Sequence, residues 1–123
     1  MILVDTSIWI DHLRAGDAEL VALLNSARVL SHPFVMGELA CGNLRSRDEV
    51  LTLMGELPQV TVATDTEVLY FIEQHGLMGR GIGYIDVHLL AAVSLACPAR
   101  LWTRDKRLDA VAVDLGLAFA SVC

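Results

Sequence analysis

Short apolar runs, each too brief for a helix and each followed by a longer stretch with helical spacing of apolar residues, dominate this 123-residue chain. Residues 1–5, MILVD, read as a buried parallel strand that delivers an acid at its carboxyl end. VLS at 29–31 and the segment 100–103 are further strand candidates, and LAFASV near the end of the chain is a last one. VTVA at 60–63 fits either a short strand or extended chain. Between them, helical spacing predicts a helix from Ile8, capped by Thr6 or Ser7, and further helices over 17–27, 33–42, 46–57, 64–77, 84–96 and 105–115. Pro33 suits a first helical turn, Pro58 ends a helix, and Thr64 with Glu67 makes a capping box. Strand followed repeatedly by helix predicts an α/β domain, a parallel sheet with helices on both faces.

Composition narrows the class. At 54% hydrophobic and 20% charged residues, the chain can bury a core, and no linker or repeat divides it, so residues 1–123 are expected to form one domain. No run reaches the roughly 18 apolar residues of a membrane span. No basic region precedes the apolar residues at the N-terminus, so the expectation is no membrane and a cytoplasmic protein. The three cysteines lack CxxC spacing, and Cys41 and Cys97 fall in apolar helical patterns, as buried reduced thiols would. The four histidines never meet a cysteine at zinc-ligand spacing. A net charge of -6 argues against nonspecific duplex binding through phosphates, unless metal ions offset clustered acids and arginines elsewhere take the backbone.

The informative residues are acids inside apolar patterns. Asp5 closes the first strand, and Asp105 follows the ARLWT run and opens a helix. Glu38 interrupts the face that its helix is expected to turn to the sheet, and Asp86 occupies the first turn of the most apolar helix. A buried carboxylate is costly unless paired or holding a metal. Each has a structural alternative: Asp5 and Asp105 as caps, Asp86 on its helix dipole, Glu38 paired with an arginine such as Arg45. Together they favour a site. In a parallel α/β sheet, ligands gather outside the carboxyl ends of the strands, where Asp5 and Asp105 arrive and toward which Glu38 and Asp86 can lean. Hard cations relieve the mutual repulsion of such carboxylates.

Neighbouring residues fit that reading less specifically. Thr6 or Ser7 can orient Asp5, and Thr103 can support Asp105. Asp109 is an outer-ligand candidate, although an exposed first-turn acid explains it as well. Asp11, Asp17, Asp48 and Glu49 read as solvated surface, and Trp9 and Trp102 as packing. His32 and His88 read as structural. Arg80, Arg104, Lys106 and Arg107 are candidates for phosphate contacts, although ordinary solvated charge explains them as well. GRGIG at 79–83 matches neither a dinucleotide fingerprint nor a Walker loop.

DTSIWID at 5–11, the helix with Glu38, GIGYIDVHLLAA around Asp86 and LWTRDKRL around Asp105 together resemble a PIN domain. More narrowly, they resemble the VapC-type ribonuclease toxins of type II toxin–antitoxin modules, over essentially the whole chain. The resemblance implies a three-layer sandwich with a mostly parallel four- or five-stranded sheet between helices. It implies a metal site of Asp5, Glu38, Asp86 and Asp105 supported by Thr6 and Thr103, loaded with Mg²⁺ or Mn²⁺. It also implies an endoribonuclease that hydrolyses structured RNA such as tRNA or rRNA, forms a homodimer and is neutralised by a VapB-like antitoxin. Three alternatives stay open: a PIN-like RNA-processing nuclease outside a toxin module, a metal-dependent phosphatase starting at Asp5, and a non-catalytic RNA- or protein-binding module. The phosphatase reading wants a second acid two residues after Asp5, where this chain has Ser7.

Overall fold

A computed structural model describes residues 1–120. Strands β1 (Ile2–Val4), β2 (Val29–Leu30) and β3 (Arg100–Trp102) form a wholly parallel sheet in the order β2-β1-β3. Leu3 stands opposite Leu30 on one side and Leu101 on the other, and Val4 opposite Trp102. Single bridges, Ser31 to Gln59 and Leu101 to Ala118, extend the two edges. The described residues thus hold three strands rather than four or five. VTVA is extended chain that buries Val60 and Ala63, and the run beginning at Leu117 supplies only the Ala118 bridge before 121–123, which lie outside the described residues.

Seven helices accompany the sheet among the described residues: α1 (Thr6–Ala15), α2 (Ala18–Asn25), α3 (Pro33–Ala40), α4 (Arg47–Glu56), α5 (Asp65–His75), α6 (Tyr84–Leu95) and α7 (Lys106–Asp114). Their signals act as expected at several ends. Pro33 sits in the first turn of α3, and Thr64 and Glu67 close a reciprocal capping box on α5. Gly76 ends α5 at φ +60°, a conformation glycine reaches without the cost of a Cβ. α1 begins two residues earlier than its cap candidates suggest. Asp5 occupies the N-cap position without a side-chain cap bond, so neither Thr6 nor Ser7 caps the helix.

The core is continuous from sheet to helices. Leu3, Val4, Ile8, Leu20, Val35, Leu89, Leu90, Leu101 and Leu108 are fully buried, as is Trp9. Helix α6 is buried at every position from Val87 to Val93, so it packs on more than one side, as its nearly uninterrupted apolar sequence requires. No helix among the described residues is long and apolar enough to cross a membrane. Cys41 and Cys97 are exposed free thiols, contrary to the expectation of burial, because each lies just past the end of its helix rather than on its apolar face.

Candidate active site

Parallel strands bring their carboxyl ends to one edge, and the site is built there. β1 is the central strand, and continuing its register past Val4 and Trp102 sets Asp5 beside Thr103. The backbone confirms the continuation, since the Asp5 N–H donates to the Trp102 carbonyl at 2.9 Å. Helix α6 leads into β3, so its first turn, which carries Asp86, returns to the same edge. Helix α3 leaves that edge from β2 and carries Glu38. Asp105 is the residue between β3 and α7.

Asp5 is buried, 6% exposed, and one of its oxygens is fully engaged. Oδ2 accepts the Thr103 hydroxyl at 2.7 Å and the Ser7 hydroxyl at 2.9 Å. Both hydroxyls are in turn acceptors: Thr103 Oγ1 takes the Asp105 N–H at 3.1 Å, and Ser7 Oγ takes the Arg104 N–H at 3.0 Å. The loop after β3 is thereby stitched to the start of α1 through a single carboxylate oxygen. Hydrogen bonds to an ionised acceptor are the stronger kind and stabilise a buried charge. Thr6 serves a different acid, donating to Glu38 Oε1 at 2.9 Å. The two expected hydroxyl supports therefore divide: Thr103 and Ser7 hold Asp5, and Thr6 holds Glu38.

The other three acids are less enclosed. Glu38 is exposed, so it does not interrupt the buried face of α3, which Val35 and Leu39 form. Asp105 is exposed and caps α7, its Oδ1 accepting the N–H groups of Arg107 at 2.9 Å and Leu108 at 3.0 Å. Asp86 is partly buried, and its Oδ2 accepts the Gly83 N–H at 3.2 Å. The cap role thus holds for Asp105, and the first-turn role for Asp86. Burial pushes the Asp86 carboxyl above its ordinary value; the Gly83 bond opposes this, and the charges of Asp5, Asp105 and Glu38 add to it. All three of those acids are therefore within electrostatic reach of Asp86.

No arginine or lysine among the described residues pairs with any of the four. Arg104, expected at the RNA, instead bridges Asp11 at 2.7 Å and Asp17 at 2.5 Å. Those two acids are consequently not the free surface charges their sequence context suggested. Asp17 additionally caps α2 through the Leu20 N–H, and this bond chiefly lowers its pKa. Arg80, the second expected RNA contact, is paired with Asp114 at 2.8 Å. Lys106 and Arg107 remain exposed at the start of α7, with Arg107 lying over Gly81, where a Cβ would come within 2.9 Å of its side chain.

Hard-cation chemistry fits the donor set: four carboxylates, oxygen donors only, with no neutralising side chain among them. As the side chains stand, no group of three His, Cys, Asp or Glu residues among the described residues is arranged to hold an ion. Asp109 is half-buried beside Trp102 and Thr103 on a cleft of about 470 Å³, outside the hydrogen-bond network of Asp5. His32, the N-cap of α3, and His88, on α6, are both buried. His32 Nδ1 accepts the Phe34 N–H at 3.0 Å, and burial, then His88, pushes its pKa down from 6.5 to about 4. Its Nε2 and His88 Nδ1 lack a hydrogen-bond partner, and His88 Nε2 stands 3.4 Å from Asp65 Oδ1 without a hydrogen bond between them, so the two are core residues incompletely satisfied.

A strand-edge cluster of carboxylates in a parallel α/β domain is the frame in which the comparisons with known proteins fall. The chain belongs to the PIN-domain family, whose model matches residues 2–114. Within it, the chain is 52% identical over 120 residues to ribonuclease VapC32 of Mycobacterium tuberculosis strain CDC 1551 / Oshkosh, covering 98% of this chain and 97% of that protein. The ribonuclease VapC32 of strain ATCC 25618 / H37Rv matches with the same identity and coverage. The resemblance to VapC-type proteins rests on the full length of the domain.

Proposed function

We propose that this protein is a metal-dependent endoribonuclease of the VapC toxin type, with Asp5, Glu38, Asp86 and Asp105 as its metal-holding acids. The observation that carries the reading is that Asp5, Asp105 and Glu38 all bear on the half-buried Asp86, while no arginine or lysine among the described residues pairs with any of the four. A structural cluster of acids would be expected to recruit an arginine, yet the nearby Arg104 is committed to Asp11 and Asp17. Kinship to proteins named ribonuclease VapC32 supports RNA as the substrate and a VapB-like antitoxin as the partner.

A bound Mg²⁺ or Mn²⁺ supplies Lewis-acid polarisation of a phosphodiester and lowers the pKa of water. The chain's own residues prepare the site. Thr103 and Ser7 fix Asp5 through Oδ2, which would leave its other oxygen to the ion. Thr6 holds Glu38, while the exposed Glu38 and Asp105 keep the rotamer freedom to adjust. Asp86 brings a carboxylate whose charge is costly without a cation. Lys106 and Arg107, exposed and without carboxylate partners among the described residues, would supply contacts to the RNA backbone. Thr6 and Thr103 act as supports that touch the acids.

The phosphatase reading loses ground at Ser7, which occupies the position of a second acid and bonds Asp5 instead. The test is incubation of the purified protein with total cellular RNA, with Mg²⁺ or with EDTA, followed by mapping of new 5′ ends. Discrete 5′-phosphate ends made only with metal and lost in Asp5→Asn are the expected result. Equal cleavage by Asp5→Asn would falsify the assignment.

A further inference from the structure

Arg104 joins more of the molecule than any other exposed side chain near the site. Its guanidinium spans Asp11 on α1 and Asp17 at the cap of α2, at 2.7 and 2.5 Å, and stands 5.8 Å from the centre of the Trp102 ring on β3. Its own backbone N–H holds Ser7 Oγ at 3.0 Å, and Ser7 donates to Asp5 Oδ2 at 2.9 Å. Its two chain neighbours are Thr103, the second donor to Oδ2, and Asp105. A planar fork that meets two carboxylates is a geometry that a lysine ammonium cannot reproduce.

Isolated surface ion pairs contribute little, since two long side chains must be ordered against solvent screening. Arg104 differs by closing a network: Asp17 is only 15% exposed, its backbone N–H reaches His12 Nδ1 at 3.1 Å, and its carboxylate caps α2. Anchoring the guanidinium sets the loop between β3 and α7. That in turn fixes the peptide N–H which orients Ser7.

We propose that Arg104 is a positioning residue for the metal site: bridging Asp11 and Asp17, it locks the loop whose Arg104 N–H and Thr103 hydroxyl fix Asp5 through one oxygen. This inference rests on the proposed metal role of Asp5. It replaces the view of Arg104 as a phosphate contact, because both ends of its guanidinium are already taken. Groups that orient a metal ligand from behind typically change metal affinity 10–100-fold when removed. Acting through Ser7, Arg104 belongs at the lower end, about tenfold.

The experiment titrates metal-free full-length protein with Mn²⁺ alone and reads free Mn²⁺ by electron paramagnetic resonance, for wild type, Asp5→Asn, Arg104→Gln, Arg104→Lys, Ser7→Ala and Arg104→Gln/Ser7→Ala. Circular dichroism and urea melts report folding in parallel. Expected are roughly tenfold weaker Mn²⁺ binding in Arg104→Gln, a smaller loss in Arg104→Lys, and a double variant no weaker than the worse single one, since both act on one chain of contacts. Wild-type Mn²⁺ affinity in folded Arg104→Gln, or losses that simply add in the double variant, overturns the proposal. If Arg104→Gln does not fold, Arg104→Lys and Ser7→Ala decide, and unchanged affinity in both overturns it. Unchanged Mn²⁺ affinity with a raised KM for RNA returns Arg104 to the phosphate role. Equal Mn²⁺ binding by wild type and Asp5→Asn removes the metal reading itself, and this inference with it.

Discussion

Replacing Thr103 by valine keeps the shape of a buried, β-branched side chain and deletes one hydroxyl. That hydroxyl donates to Asp5 Oδ2 at 2.7 Å and accepts the Asp105 N–H at 3.1 Å. With Thr103 7% exposed and Asp5 6% exposed, water has little room to take its place. A hydrogen bond to a charged group contributes about 1.5–3 kcal/mol, and valine leaves the buried carboxylate with only Ser7. The expected loss for Thr103→Val is therefore about 2–3 kcal/mol, roughly a 10 °C fall in melting temperature for a domain of this size. Thr103→Ser retains the hydroxyl and sheds one methyl group, so its cost should be about 1 kcal/mol. Urea and thermal melts in EDTA at neutral pH compare the two without any contribution from metal. A valine variant as stable as wild type, or a serine variant less stable than the valine one, would refute the argument that this hydroxyl holds Asp5.

Three further outcomes follow from particular residues. Asp86→Asn retains an acceptor for the Gly83 N–H and removes a charge that burial and three acids disfavour. Because the folded state raises this pKa, wild type loses stability as pH rises through the carboxylate range, so the variant should melt higher than wild type in EDTA near pH 7 while losing metal-dependent cleavage; a lower melting temperature counts against the cluster. His32 is held neutral in the fold, so its contribution is intact above pH 6.5 and declines as pH falls toward 4, by about 3 kcal/mol in all. His32→Asn, which retains an N-cap acceptor, should flatten that part of a pH–stability curve, and an unchanged slope would show that another group sets it. Leu3→Ala, at the fully buried centre of the middle strand, should cost about 2–5 kcal/mol by urea melt; a loss below 1 kcal/mol would contradict its place in the core.

Much of the fold was legible because short apolar runs and helical spacing signal different elements. MILVD announced both the central strand and the acid at its end, and Thr64 with Glu67 announced a helix start that is present to the atom. The sheet edges were less legible, since VTVA and the run from Leu117 are apolar enough for strands but form only single bridges. Of the proposed site, the four acids stand out in the sequence by their positions in apolar patterns. What they do to one another does not. Glu38 is exposed despite its apolar neighbours, because helical spacing leaves its angle to the sheet open by the width of one residue.

Hydroxyl partnerships were the least legible part. Thr6, Ser7 and Thr103 are all adjacent to acids in sequence, but only three-dimensional proximity assigns Thr6 to Glu38 and pairs Ser7 with Thr103 on Asp5. The same holds for Arg104, whose neighbour Asp105 made it look like part of a substrate surface. Its partners, Asp11 and Asp17, lie 93 and 87 residues away and read locally as ordinary solvated charge. The one available signal was the pair of acids spaced across the junction between α1 and α2, which a parallel sheet brings close to the loop after β3.

The central claim is that Asp5, Glu38, Asp86 and Asp105 together hold a divalent cation. Crystals of the protein grown with Mn²⁺, with anomalous diffraction recorded to locate the metal, test it most directly. The expected result is an anomalous peak at the carboxyl edge of the sheet, with Asp5 among its ligands and no such peak in Asp5→Asn. A peak at other residues, or none with Mn²⁺ in large excess, would contradict it.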